Sequence, residues 1–348
     1  MEAEQIASGL RAGGNSRYRN FMKLIIAYLF GMWYSILEMI CPEAFMTELT
    51  DFQRKMADRL PGLDLRFNEP MAKHTSFRIG GPVQVMAFPK NREELANILK
   101  TSALLDCNCA ILGAGTNVLA PDAGMEGVVI CLKDCLDGMD RLDDTHIRVS
   151  AGVTMTRAAV FAANLGLSGL EFAHGIPGTG GGGVYMNAGA YGGEICQVCR
   201  TVDVMDRQGN VRTLSGGEMQ FSYRHSLLEE SGEIVLSAVF ELTPKPAEEI
   251  KARMRELMGK RSASQPLELP SAGSAFKRPV GGYAAALIDQ AGLKGFQVGG
   301  AAISTKHAGF AVNLNGATAA DVKELLRQVS DIVYEKSGIR LEPEVRIW

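Results

Sequence analysis

The sequence predicts a mixed α and β chain with more than one domain. Helix-like and strand-like segments alternate from residue 83 onward, and a Ser/Pro-rich stretch at 262–273 interrupts that alternation. The length of 348 residues suggests two or three domains at roughly 150 residues each. The chain is 46% hydrophobic with a net charge of −3, which excludes disorder as its main state.

The first half of the alternation starts with a short apolar run and then a helix signal. The signal is Asn91-x-x-Glu94, a capping box, and the helix is expected to continue to about residue 105. A second helix is expected over 155–165, ending at Gly166. Strands are expected at 83–88, 110–112, 127–132 and 146–149.

The second half contains a predicted hairpin, in which strands 201–206 and 211–214 flank the turn 207–210. Further strands are expected at 234–242, 310–314 and 340–348, and helices at 283–292 and 318–337. The charged helix 247–261 is interpreted as a linker, and 262–273 as the domain boundary. No internal repeat is visible.

An apolar stretch near the N-terminus, residues 21–40, complicates this picture. Its uncharged core, 24–37, is shorter than the roughly 18–20 residues that span a membrane. Three interpretations stay open: a dispensable or misassigned extension over 1–45, a membrane-associated helix, or a signal peptide without an evident cleavage site. We favour the first, because Met46 opens an ordinary soluble helix start with Thr50 as its cap, and we expect no stable membrane insertion.

Two glycine-rich loops carry the signals for ligand binding. The first spans 112–119, and the second spans 175–184 within a region that holds nine Gly in 19 residues, 175–193. Successive glycines let backbone N–H groups turn inward and form a nest that binds phosphate oxygens. A simpler interpretation, a pair of tight structural turns, fits the first loop as well as the nest does, but fits the second poorly because so many glycines cost backbone entropy.

The glycine loops do not match the common nucleotide motifs. Neither is followed by the Gly-Lys-Ser/Thr of a Walker A motif, and the first has Val118 where a dinucleotide-binding fold has its third Gly. Two separated loops, each near a strand, instead indicate a long ligand with a diphosphate in its middle. The near-neutral charge disfavours a nucleic-acid partner.

Cysteine and histidine positions indicate neither a disulfide framework nor a metal site. The chain has seven Cys, and Cys196-x-x-Cys199 has no second pair with which to form a zinc site. The interpretation is that these are reduced thiols. No pair of His has metal-ligand spacing on a helix, and no metal is expected.

An ordered set of motifs from about residue 68 to 348 resembles one family, the UDP-N-acetylenolpyruvoylglucosamine reductases. Each motif is weak alone, but their order is specific to the family. They are HTSFRIGGP at 74–82, the first glycine loop, GIPGT at 175–179, YMNAGAYG at 185–192, YRxS at 223–226, AGSxFK at 272–277, GLKG at 292–295 and LEPEVR at 341–346.

The resemblance implies an α+β chain: an FAD-binding fold of the vanillyl-alcohol-oxidase type and a smaller C-terminal α+β substrate domain. The expected division is 46–265 for FAD and 266–348 for substrate. It implies a cytoplasmic enzyme of peptidoglycan precursor synthesis, of the family's shorter subtype. This enzyme would use non-covalent FAD and NADPH to reduce a UDP-sugar, UDP-N-acetylenolpyruvoylglucosamine, to UDP-N-acetylmuramate.

The resemblance also assigns roles to residues. Arg224, Ser274 and Glu344 are the expected catalytic residues, with Ser274 as proton donor, and Tyr223, Arg224 and Lys277 are expected to bind substrate. Ser274 stands between Gly273 and Ala275, where a turn that exposes its hydroxyl is expected. Residue alternation alone does not separate Glu344 from Glu342. The expected cofactor-binding residues lie in or near the glycine loops: Arg78, Gly113, Ala114, Gly115, Thr116, Asn117, Gly175, Ile176, Pro177, Gly178, Thr179, Gly182, Gly183, Asn187, Ala188 and Gly189.

Two departures and two alternatives accompany this assignment. Arg278 stands where the family commonly has Asn, and Gly180 replaces a usual Val. One alternative is another FAD-dependent oxidoreductase on the same scaffold, for which Ser274 would have no role. The other is a membrane-tethered nucleotide-binding protein without turnover, which is motivated by the apolar core 24–37.

Overall fold

The structure is a computed structural model that describes residues 49–133 and 135–348. The chain divides into two units, Met1–Asp51 and Phe52–Trp348. Only residues 49–51 of the first unit are described, so the predictions about 1–45 lie outside the described residues. Within the described part, no helix is both long enough and apolar enough to cross a membrane.

The elements confirm the mixed α and β prediction. The helices are α1 Asp51–Arg59, α2 Arg92–Leu104, α3 Met155–Asn164, α4 Gly180–Tyr185, α5 Leu228–Ser231, α6 Ala247–Ser264, α7 Ala284–Gln290 and α8 Ala319–Ser337. Short 3₁₀ turns occur at Met71–Lys73, Glu171–Ala173 and Ile195–Gln197.

Nineteen strands lie in the described residues. They are β1 Asp64–Pro70, β2 Pro82–Phe88, β3 Cys109–Leu112, β4 Val118–Leu119, β5 Met125–Cys131, β6 Met139–Arg141, β7 His146–Ser150, β8 Leu167–Ser168, β9 Gly189–Ala190, β10 Gly193–Glu194, β11 Cys199–Met205, β12 Val211–Ser215, β13 Ile234–Glu241, β14 Thr243–Pro244, β15 Ser271–Ser274, β16 Gln297–Val298, β17 Ala301–Ile303, β18 Phe310–Asn313 and β19 Arg346–Ile347.

Three sheets organise these strands. The first has the order β1-β2-β5-β3, with β2, β5 and β3 parallel and β1 an antiparallel edge strand. The second is antiparallel, in the order β12-β11-β13-β7-β6, and contains the predicted hairpin β11–β12. The third, β15-β18-β17-β16, is also antiparallel and belongs to the C-terminal part of the chain.

Each sheet packs its apolar face against helices. Helix α2 buries Leu95 and Ile98 in one cluster with β2 and β5, and α8 buries Val322 and Leu325 in another with α7 and the third sheet. Capping explains where these helices start. Asn91 Oδ1 accepts from Glu94 N at 2.9 Å, as predicted for α2, and Thr318 with Asp321 forms a capping box at α8.

Two sequence-based expectations for the C-terminal half are wrong. Helix α6 is not a free linker, because its Ile250 and Met254 are buried in the core of the second sheet and Leu257 is buried as well. The predicted strand 340–348 shrinks to β19, since Pro343 has no N–H to donate to a ladder. That short strand runs parallel to β4, directly after the first glycine loop.

Candidate active site

A cavity of about 1370 Å³ lies where the two glycine loops, the second sheet and the C-terminal segments meet. Small-molecule sites usually measure about 300–1,000 Å³, so this cavity has room for more than one ligand group. Loop residues Gly113–Val118 and residues 175–179 line it, and so do Arg224, Ser274 and Glu344.

The first glycine loop presents open backbone donors. The N–H groups of residues 114–117 donate to no other described residue, so they are available to a ligand. The loop is held from behind, because Ser76 N donates to Gly115 O at 3.0 Å. Gly115 has φ +62°, and a Cβ there would lie 2.0 Å from the carbonyl oxygen of His74, so only glycine fits. These features agree with the predicted anion nest.

The second glycine run is a helix, and the predicted nest is wrong for this part of it. Gly180 N, Gly181 N and Gly183 N donate to backbone oxygens of Val153, Ala151 and Thr179. Gly182 N donates to Thr179 Oγ1, the N-cap of α4. The glycines permit close packing instead: a Cβ on Gly181 would lie 2.9 Å from Ala151 Cβ, and one on Gly183 would lie 2.6 Å from Met155 Sδ.

The two loops nevertheless contact each other at the cavity wall. Thr116 Oγ1 donates to Pro177 O at 3.0 Å. A Cβ on Gly113 would lie 2.7 Å from Thr179 Oγ1, so the loops approach closely there. Both loops therefore line one cavity, although only the first offers a run of free N–H groups.

An ion pair brings two predicted catalytic residues together from positions 120 apart in the chain. Arg224 Nε donates to Glu344 Oε1 at 2.9 Å, and Arg224 Nη2 donates to Gly189 O at 3.2 Å. The guanidinium also lies over the ring of Tyr223, 5.0 Å from its centroid. Arg224 has φ +58°, a conformation that costs of order 1–3 kcal/mol in a residue with a side chain.

Glu344 is mostly buried, and its second carboxylate oxygen is unusual. Burial raises the pKa of the Glu344 carboxyl, while Arg224, Lys277 and the Tyr223 hydroxyl lower it. Oε2 is buried and has no hydrogen-bond partner among the described residues. Because an unpaired buried oxygen is costly, a ligand donor that reaches this atom would be stabilised.

Ser274 is the last residue of β15, where a turn was expected. Opposite β18, Ser271 pairs with Val312 and Ser274 with Phe310, so β15 carries one extra residue. This irregularity contains Gly273 at φ +76°, and such bulges re-aim side chains. Ser274 lines the cavity, and its hydroxyl forms no hydrogen bond with any described residue.

Backbone pairing places Ser274 next to Glu344. The segment after Ser274 continues antiparallel to the segment that contains Glu344: Phe276 bridges Pro343, and Glu344 N donates to Ala275 O at 2.9 Å. The structure also separates the two glutamates. Glu342 is largely exposed and paired with Lys277, whereas Glu344 faces the cavity and Arg224.

Three residues predicted for the site do not line the cavity. Lys277 pairs with Glu342 outside it, and Tyr223 is half exposed, its hydroxyl accepting from Arg278 N at 3.2 Å. Asn187 is buried, where Nδ2 donates to Glu194 and to Ser222 O, so it supports the wall from behind. The other predicted site residues all line the cavity.

Several lining residues were not predicted. Arg346 donates to both oxygens of Glu229 and lies over the ring of Tyr185 at 5.9 Å. Arg261 is buried in α6 and donates to Gly175 O, which ties that helix to the second loop. His307 lies between β17 and β18 and also lines the cavity. Arg346 follows Glu344 in the Glu-Val-Arg motif, which was a usable signal, whereas nothing in a charged helix singles out Arg261.

Other candidate groups lie away from the cavity. His174 does not line it, and burial lowers the pKa of its ring. Cys196 and Cys199 are free thiols, and burial raises the pKa of Cys199 to about 12. No group of three or more potential metal ligands occurs in residues 49–133 and 135–348.

Two family models match separate parts of the chain. Residues 83–215 match the family model described as FAD binding domain, and 265–348 match that described as UDP-N-acetylenolpyruvoylglucosamine reductase, C-terminal domain. A UDP-N-acetylenolpyruvoylglucosamine reductase of Agathobacter rectalis is 45% identical over 307 residues, which is 85% of this chain and 98% of that protein. The chain belongs to the UDP-N-acetylenolpyruvoylglucosamine reductase family.

Further relatives of the same name support this membership. One from Streptococcus pneumoniae is 43% identical over 295 residues, covering 85% of this chain and 97% of the relative. The solved structure of the UDP-N-acetylenolpyruvylglucosamine reductase from Thermus caldophilus superposes with a TM-score of 0.68 at 36% identity, over 82% of this chain and 98% of that chain. The predicted fold class, an α+β FAD-binding fold with a C-terminal α+β part, is confirmed.

The cavity of this reductase-family chain fits the diphosphate of FAD. Four consecutive free N–H groups at 114–117 form an uncompensated row of donors, which suits phosphate oxygens. Gly115 and Gly178 have φ of +62° and +140°, conformations that glycine adopts without strain, so they let the loops keep the shape that presents these donors. Both observations come from the part of the chain that matches the FAD-binding model.

We predict that Gly115→Ala weakens FAD retention while Gly217→Ala does not. The added Cβ at 115 would lie 2.0 Å from a backbone oxygen at a positive φ, so the row of donors must move. Gly217 has nothing within 4 Å of its Cβ position. The measurement is the dissociation constant for FAD, from fluorescence quenching on titrating FAD into each apoprotein. Equal affinities for both variants would contradict the assignment of the first loop.

Proposed function

We propose that this chain reduces UDP-N-acetylenolpyruvoylglucosamine to UDP-N-acetylmuramate, a step of peptidoglycan precursor synthesis. It would use FAD held non-covalently, with NADPH as the reductant. The observation that carries the proposal is the meeting of Arg224, Glu344 and Ser274 in a large cavity that the first glycine loop also lines. The names of the relatives support the substrate.

FAD would be held by the first loop through the N–H groups of residues 114–117, with Thr116 and Gly178 beside them. The other expected cofactor residues that line the cavity would surround it. His174 lies off the cavity lining, which supports non-covalent binding. When bound there, FAD would supply hydride transfer, with NADPH as the source of the hydride, N5 as its donor and the enolpyruvyl β-carbon as its acceptor.

Arg224 would hold the carboxylate of the enolpyruvyl group. A guanidinium stays charged and presents paired donors, so it stabilises the negative charge that builds on the carboxylate as an enolate forms. Its position is fixed before the ligand arrives, because Glu344 and Gly189 O already accept two of its N–H groups. A preorganised donor of this kind needs no rearrangement during the reaction.

Ser274 would give a proton to the α-carbon of the enolate. In this step the Oγ–H bond breaks, a C–H bond forms, and the negative charge moves to Oγ until solvent returns a proton. A serine hydroxyl is a poor acid, so its developing charge needs nearby stabilisation. The hydroxyl has no competing partner among the described residues, which leaves it free to face a ligand.

Glu344 would orient the reacting group together with Arg224. Its Oε1 is committed to Arg224, while the buried Oε2 has no protein partner among residues 49–133 and 135–348. A ligand group that donates to Oε2 would remove the cost of leaving that oxygen unpaired. The large cavity also suits the expected order of events, in which NADPH binds first, leaves, and the sugar nucleotide takes its place.

An anaerobic two-step titration tests the proposal. The purified chain should be yellow, and NADPH should bleach it. The addition of UDP-N-acetylenolpyruvoylglucosamine without oxygen should then restore the flavin absorbance and yield UDP-N-acetylmuramate. A colourless protein would contradict flavin binding, and it is the outcome expected of a membrane-tethered nucleotide-binding protein. A bleached protein whose colour the sugar nucleotide does not restore would instead indicate a different flavin oxidoreductase.

We predict that Ser274→Ala separates the two half-reactions. NADPH should bleach the variant at the wild-type rate, because Ser274 takes no part in that step. Product formation should fall by about 10²–10⁴-fold, the range for loss of a general acid. Ser262→Ala, on the exposed end of α6, is the matched control and should match wild type in both steps. Wild-type product formation by Ser274→Ala would rule out the proton-donor role.

A further inference from the structure

We propose that His307 is a positioning residue for Ser274, and that the Nε2–H of its neutral ring stabilises the negative charge left on Ser274 Oγ. This inference rests on the proposed function and deepens it, since it names the group that lets a poor acid give up its proton.

The backbone brings His307 close to Ser274. In the third sheet Ser274 pairs directly with Phe310, and Ala275 N donates to Gly309 O at 2.8 Å. Directly opposed residues place their Cβ atoms about 4.5–5.5 Å apart on the same face. The ring of His307 lies edge-on to that of Phe310, 5.1 Å between centroids. Ser274, Phe310 and His307 all line the cavity.

The hydrogen bonding of the ring fixes which nitrogen is free. Gly309 N donates to His307 Nδ1 at 3.1 Å, so Nδ1 carries the lone pair. A neutral imidazole has one protonated nitrogen, which places the proton on Nε2. Neither Nε2 nor Ser274 Oγ has a hydrogen-bond partner among the described residues, so the two are not bonded to each other in this structure and the Nε2–H remains open to the charge that forms on Oγ.

The surroundings keep the ring neutral. Burial has the largest influence on the His307 ring, and it lowers the pKa. A backbone hydrogen bond and Asp289 raise that pKa, whereas nearby Lys294 lowers it. Lys294 and Asp289 pair with each other at 2.8 Å, so neither charge acts alone on the ring. A neutral ring near pH 7 is a hydrogen-bond donor and not an acid. The proton that reaches Ser274 Oγ after the reaction therefore comes from solvent.

Two substitutions separate the donor from the packing. His307→Asn keeps an oxygen where Nδ1 accepts from Gly309 N but removes the group that reaches to Nε2. His307→Gln keeps an N–H donor at about the reach of Nε2. The control is His146→Gln, because His146 is a partly exposed histidine that pairs with Asp143 and lies outside the cavity.

The measurement is anaerobic stopped-flow of both half-reactions, monitored by flavin absorbance. In His307→Asn, reoxidation by UDP-N-acetylenolpyruvoylglucosamine should slow by about 10- to 100-fold, the effect of one hydrogen bond to a charged group. Its solvent deuterium isotope effect should rise, while bleaching by NADPH stays at the wild-type rate. His307→Gln should recover most of the loss, and His146→Gln should match wild type.

The outcomes distinguish this inference from the proposed function. If wild type is not reoxidised by the sugar nucleotide, the proposed function fails. If wild type is reoxidised and His307→Asn is equally fast, only the role of His307 fails. Equal losses in the Asn and Gln variants would show a packing role and also overturn it. Independently, ¹⁵N NMR of the histidine rings should show His307 as the Nε2–H tautomer; the Nδ1–H tautomer would contradict the inference.

Discussion

The proposed active site depends on one ion pair, Arg224 with Glu344. Arg224 follows the second sheet's hairpin, whereas Glu344 lies near the C-terminus, so the pair closes the cavity between distant parts of the chain. A mostly buried pair of this kind is a weak source of stability, because desolvation offsets much of the attraction. The pair matters because it holds both side chains in one place. Removing either partner would leave the other charge unpaired inside the cavity.

The ion pair is in turn supported by the first glycine loop. Strand β19 lies parallel to β4, and Arg346 N donates to Asn117 O at 3.0 Å. Asn117 Nδ2 also reaches Glu344 O at 3.4 Å. The loop with the free N–H groups at 114–117 also fixes the backbone of Glu344. The proposed cofactor loop and the proposed catalytic glutamate therefore share one piece of structure.

Much of this site could be predicted from the sequence. The Asn91 capping box, the hairpin at β11–β12 and the first glycine loop all appeared where local sequence signals placed them. Local sequence signals gave wrong predictions where tertiary contacts determine the secondary structure. Four consecutive glycines are poor helix formers, yet residues 180–183 are helical because α4 packs closely on Ala151 and Met155.

Two other failures have similar causes. Ser274 looked like part of a turn, because a four-residue strand that contains Gly273 shows no strand pattern by itself. Residues 247–261 looked like a solvated linker, because nothing local distinguishes the buried Arg261 from its exposed charged neighbours. In both cases the deciding partner is far away in the sequence: β18 for Ser274 and the second glycine loop for Arg261.

The central claim, that Arg224 and Glu344 act as one unit on the ligand, is tested most directly by a double-mutant cycle. The rate of anaerobic flavin reoxidation by UDP-N-acetylenolpyruvoylglucosamine should be measured for Arg224→Lys, Glu344→Gln and the double variant. If the pair acts as a unit, the double variant should be no slower than the slower single variant. The coupling energy, which is the non-additive part of the two single losses, should then lie within about 0.5–3 kcal/mol. If the two losses simply multiply, the residues act independently and the claim is wrong.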